Sequence, residues 1–154
     1  MIPLNSDFKD LLSLFNRFNV RYLVVGGYAV MYHTEPRYTK DLDILIGRTE
    51  SDIAAVASAL GEFGFTLSEA NLAQLHQPNQ MIALGRAPVR IDILNEVMGI
   101  DFESAWVNRI GVMIGDAKAW FMSRDDLVVA KRSSGRPQDL LDLSLLEKSA
   151  QNGD

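Results

Sequence analysis

The chain has 154 residues, 47 % apolar and 23 % charged, with a formal net charge of −5; this is ordinary for one globular domain with a substantial core. It has no cysteine and only two histidines, His33 and His76, which excludes disulfides and thiolate metal sites and disfavours a histidine-rich zinc site. The acidic balance argues against a general nucleic-acid binder, and the lack of a long apolar run or a basic-then-apolar leader leads us to expect a cytoplasmic protein with no membrane partner.

The N-terminal segment reads as a helix capped by Asn5 or Ser6, with Phe8, Leu11, Leu12, Phe15 and Phe18 at helical spacing and Asn19 as its stop. Residues 21–25 form a buried-strand pattern ending at Gly26-Gly27, and Tyr28 to Tyr32 suggests a short helix entered from those glycines. A loop containing Pro36 follows, then a strand from Asp41 to Ile46. Thr49 and Asp52 are spaced close to a capping box, opening a helix whose inward face is Ile53, Val56, Ala57 and Leu60. Gly61 and Gly64 punctuate the next turn; Phe65-Thr66-Leu67 suggests a brief strand, and residues 68–75 a short helix.

Gln80 to Leu84 and Val89 to Leu94, joined by Gly85-Arg86-Ala87-Pro88, read as a hairpin. A helical turn around Trp106, a strand over Arg109 to Ile114 and an extended piece at Ala119-Trp120-Phe121 come next. Ser123 with Asp126 caps a helix running to Ser133, and Pro137 opens the last helix, carrying Leu140, Leu141, Leu143 and Leu146. The order of elements predicts an α/β or α+β fold, a small mixed sheet flanked by helices. One domain over residues 1–150 is expected, with a frayed tail at 151–154.

The chemistry-bearing feature is Asp41-Leu42-Asp43, joined by Asp92 inside the apolar run Val89 to Leu94. Residues i and i+2 of a strand share a face, so Asp41 and Asp43 point the same way. If Asp92 lies on a neighbouring strand, three carboxylates meet on one patch and repel unless a cation sits among them. An oxygen-only set of this kind suits Mg²⁺ and two-metal phosphoryl chemistry. A lone Asp-x-Asp is a weak signal, because acids often flank strands as solubilising edges. These three, however, are embedded in apolar strands, where burial is costly. The Gly26-Gly27 turn can admit a phosphate to free helix-terminal amides, although an ordinary tight strand-to-helix turn is the better explanation of the pair when it is taken alone.

The run Val25-Gly26-Gly27-Tyr28-Ala29-Val30, then Arg37-Tyr38-Thr39-Lys40-Asp41-Leu42-Asp43, then Ile91-Asp92-Ile93 resembles the nucleotidyltransferase superfamily of DNA polymerase beta. The ending, Lys131 with Arg136, Asp139 and Asp142, is similar to the helix pair of small bacterial nucleotidyltransferases, including the abortive-infection type toxins. The resemblance spans residues 20–146 and implies a Mg²⁺-dependent enzyme (two ions, with Mn²⁺ as the alternative) that moves a nucleoside monophosphate from an NTP such as ATP to a hydroxyl acceptor. It implies that Gly26 and Gly27 hold the β- and γ-phosphates, that Asp41 and Asp43 bind the nucleotide-associated ion, and that Asp92 completes a second site and deprotonates the acceptor. Lys131 would neutralise the triphosphate, or else be a solvated helix lysine. Arg37 and Thr39 would contact nucleotide or acceptor, or else belong to an ordinary loop.

The acceptor could be an antibiotic, a protein side chain or a tRNA end, and the partner a second copy or an antitoxin-like chain. Many relatives carry a serine after the first glycine, where this chain has Gly27 and Tyr28; this keeps open the alternative of a non-catalytic nucleotide- or protein-binding module. Arg136 and Asp139 are explained by a local ion pair, and His33, Trp106 and Trp120 by packing or a pocket wall. Arg124, Lys131, Arg132 and Arg136 are close enough in sequence to form a basic patch.

Overall fold

The computed structural model describes residues 6–36, 39, 41–86 and 89–151. In chain order the elements are α1 (Ser6–Arg17), β1 (Tyr22–Val25), α2 (Gly26–His33), β2 (Asp41–Ile46), α3 (Glu50–Phe63), α4 (Glu69–Leu75), β3 (Met81–Arg86), β4 (Val89–Leu94), α5 (Phe102–Val107), β5 (Ile110–Ile114), β6 (Ala117–Phe121), α6 (Arg124–Ser134) and α7 (Pro137–Gln151). The strands form one mixed sheet in the order β3-β4-β2-β1-β6-β5, with β2 parallel to β4 and β1 parallel to β6. The expected mixed sheet flanked by helices is what the chain builds.

Strand alternation gives the sheet two different faces. Ile82 and Leu84 of β3, Ile91 and Ile93 of β4, and Leu42 and Ile44 of β2 fall in register and are all buried. The opposite face carries Ala83, Asp92, Asp43 and Val25 side by side at one level. Helix α1 buries Phe8, Leu11, Leu12 and Phe15, each worth about 1.5–3 kcal/mol when fully withdrawn from water, and it packs against α3. Helices α6 and α7 pack on one another, and both touch α2.

The capping box of α3 forms in both directions between Thr49 and Asp52, and Ser123 caps α6 by accepting from the Asp126 amide. Asp52 does more than cap: Arg21 donates to both of its carboxylate oxygens, at 2.8 and 2.7 Å. The same guanidinium also grips Glu103 and lies over the Phe102 ring.

Several expectations are corrected. Phe65-Thr66-Leu67 is not a strand, because the Phe65 amide donates to the Leu60 carbonyl at 2.8 Å and closes the C-terminus of α3. Gly61 lies inside α3, and Gly64 is its left-handed cap. Ala59, not Ala57, is fully buried on that helix. Gln151, expected in a frayed tail, ends α7 in helical conformation. In α7, Leu140 and Leu141 are exposed while Asp139 and Asp142 are buried, since that face must meet a lysine of α6. The turn residues Ala87 and Pro88 lie outside the described residues. Among the described residues no helix is long and apolar enough to cross a membrane.

Candidate active site

The acids meet through strand register. Asp43 pairs with Asp92 across parallel strands β2 and β4, and neighbouring strands lie about 4.8 Å apart, so the two side chains stand next to each other on one face. They share a hydrogen bond, and burial, the Asp92 charge and the Asp41 charge together push the Asp43 carboxyl up to about 7. Two carboxylates this close are stabilised either by a shared proton or by a cation between them. Asp92 is buried; Asp41, two residues before Asp43 on the same face, is half-buried.

Gly26 belongs to this arrangement by exclusion. Its φ is 66°, a left-handed conformation that side chains disfavour, and a Cβ there would fall on the Asp43 carboxylate. Val25 before it provides no side-chain cap for α2, so side chains leave the first amides of that helix free. Gly27 lies in its first turn, and Tyr28 buries its ring against Phe8, edge to face at 5.8 Å.

A cleft of about 230 Å³ runs from Val25, Gly26 and Asp43 to Lys131, Ser134, Arg136 and Asp139. Leu94, Val97, Met98 and Leu127 supply apolar wall. Lys131 is not a solvated helix lysine. Its Nζ lies 3.2 Å from Asp139 Oδ1 and 3.0 Å from Asp142 Oδ2, with Asp142 wholly buried. Ser134 Oγ and Arg136 Nε donate to the other Asp139 oxygen at 2.6 and 2.8 Å, and Gln138 donates to Asp142. Burial would raise the Asp139 carboxyl, but the hydrogen bonds from Arg136, Ser134 and Lys131 outweigh it and hold the group well below the usual carboxylate range. The Lys131 charge also pulls Asp43 downward against its raising influences.

The structure thus brings Gly26, Asp43 and Lys131 to the lining of one cleft, with Asp92 paired to Asp43 and Asp41 on the same strand face. Thr39 is half-buried before β2 and does not line the cleft; Arg37 lies outside the described residues. The members of the suggested basic patch are each engaged: Arg124 with the His33 carbonyl and Ser149, Lys131 and Arg136 with Asp139, and Arg132 with Glu147. His33 is a packing residue whose ring nitrogen meets the Met122 carbonyl at 3.0 Å. Trp106 and Trp120 wall a separate pocket with Asn16 and Lys118. Sequence reasoning missed Arg90, whose Nε lies 2.9 Å from Asp92 Oδ1; the i, i+2 spacing on one strand was the available signal. It also missed the grip of Asp139 and Asp142 on Lys131, which only the packing of α7 on α6 discloses.

A family described as "Nucleotidyltransferase of unknown function (DUF6036)" matches residues 2–148. The chain belongs to that nucleotidyltransferase family. The match runs from before α1 into α7, so the helices holding Lys131 and the strands holding the acids fall within one family unit. No curated protein matches the chain.

Proposed function

We propose that this nucleotidyltransferase follows the chemistry of the DNA polymerase beta superfamily, moving a nucleoside monophosphate from an NTP to a hydroxyl acceptor. The observation that carries the reading is the contact of Asp43 with Asp92 on paired strands, beside a glycine that can bear no side chain and a cleft containing a fixed lysine.

The donor set is anionic, oxygen-only and partly buried, and so suits a hard divalent cation. Among the described residues no three His, Cys, Asp or Glu side chains form a ready cage. Mg²⁺ is ordinarily held by one or two carboxylates, completed by waters and substrate phosphates, so Asp43 and Asp92 with Asp41 beside them fit it. In this proposal those three residues hold two Mg²⁺ ions, or Mn²⁺ in their place. When bound, the metal neutralises phosphate charge and lowers the pKa of the acceptor hydroxyl.

The protein's own groups do the rest. The acceptor oxygen bonds to the α-phosphorus as the bond to the α–β bridging oxygen breaks, and pyrophosphate leaves with the electron pair. Asp92 accepts the hydroxyl proton. The uncapped start of α2 favours the phosphates through its amides and dipole. Lys131, held in place by Asp139 and Asp142, adds a fixed positive charge for the triphosphate.

The test is incubation with each α-³²P-labelled NTP, Mg²⁺ or Mn²⁺, and a cell extract, beside an Asp41→Ala/Asp43→Ala control. Label transferred only by the intact protein establishes the reaction. Its destination, a small molecule, a protein or a tRNA end, separates a drug-modifying enzyme from a toxin-type one. No transfer by the folded protein with any nucleotide turns the assignment to a binding module.

A further inference from the structure

Arg90 holds one oxygen of the Asp92 carboxylate. Its Nε donates to Asp92 Oδ1 at 2.9 Å, joining an arginine whose side chain is 41 % exposed to an aspartate whose side chain is 8 % exposed. In strand register Arg90 stands between Asp41 of β2 and Gly85 of β3. One neighbour is thus a carboxylate, and the other offers no side chain to hold the arginine in place.

We propose that Arg90 is the resident counter-ion of Asp92, seated on the carboxylate in the metal-free protein and displaced when a divalent cation binds. This rests on the reading of Asp41, Asp43 and Asp92 as metal ligands. Arg90 stabilises the paired acids when the metal is away and competes with the metal for one of its ligands. A positioning residue of this kind weakens cation binding while protecting the empty site from its own charge.

The experiment titrates Mn²⁺ into nucleotide-free protein, following the free-ion signal by electron paramagnetic resonance, for wild type, Arg90→Gln, Arg90→Lys and Asp92→Asn. Thermal melts in EDTA and in Mn²⁺ accompany each titration. Arg90→Gln should bind Mn²⁺ about two- to fivefold more tightly than wild type, the scale of a half-exposed ion pair. It should melt lower in EDTA and gain more from Mn²⁺. Arg90→Lys, with a compact charge in place of the fork, should fall between the two, and it serves as the test if Arg90→Gln does not fold. Equal or weaker Mn²⁺ affinity in both arginine variants, with Asp92→Asn reducing it, overturns the counter-ion role and leaves the metal reading intact. Absence of Mn²⁺ binding in every folded variant overturns both.

Discussion

Gly26 and Asp43 contend for one volume: the space where a side chain on Gly26 would stand is filled by the Asp43 carboxylate. The glycine is therefore required twice, by its φ of 66° and by its neighbour. Gly26→Ala should lower stability by about 2 kcal/mol or more and abolish label transfer. Gly61→Ala provides the contrast. That residue lies within α3 with open space where a methyl group would stand, and the change should raise stability by about 0.5–1 kcal/mol. Urea unfolding of both variants checks the pair of signs.

Lys131 sits between two buried carboxylates, so its removal strands negative charge inside the protein. Lys131→Met should cost about 3–5 kcal/mol in chemical denaturation and reduce transfer about 10²-fold or more. Asp142→Asn leaves Asp139 in place and should unfold more readily than wild type but less readily than Lys131→Met. A ranking with the aspartate variant below the lysine variant would contradict the clamp.

Stability in EDTA should fall as pH rises from the ordinary carboxylate range to about 7, where Asp43 titrates in the fold. In that window the native state binds a proton that the unfolded chain has released, so the slope is negative, and it flattens above the folded value. Asp43→Asn should remove this decline. At lower pH the sign reverses: Asp52 and Asp139, whose values are lowered, stabilise above the unfolded value and lose that contribution as acid protonates them. Melting temperatures from pH 3 to 8 show both limbs.

Asp52 serves two structures with one carboxylate, capping α3 and accepting from Arg21. Asp52→Ala should therefore cost about 3 kcal/mol, more than the ~1 kcal/mol of an ordinary cap. Thr49→Ala, which touches the cap alone, should stay near that lower figure. Equal losses in the two variants would show that the Arg21 pair contributes nothing.

Much of the fold is local enough to be visible in the chain itself. Thr49 with Asp52 and Ser123 with Asp126 announce their helices, and the alternation of Asp41 to Ile46 announces both the strand and the acids' common face. The false strand at Phe65 arose because an apolar triplet cannot disclose that its first amide is already committed to Leu60. Helix α7 misled for a tertiary reason. Leu146 is buried, but Leu140 and Leu141 are exposed, and the buried positions facing the lysine of α6 go to Asp139 and Asp142. The site is legible in the same proportion: the common face of Asp41 and Asp43 follows from strand pattern, whereas Asp92 beside Asp43, Arg90 on Asp92 and the holders of Lys131 depend on pairing and packing.

The two tryptophans of the chain stand edge to face at 6.2 Å, with the Arg109 guanidinium 3.8 Å from one ring centre and 4.4 Å from the other. Phe102 stacks on Trp106, and Lys118 lies over Trp120. Neither indole lines the cleft. The protein's intrinsic emission is thus a label placed by nature on the β5–β6 corner: it will track melting of that corner and stay silent when nucleotide enters the cleft.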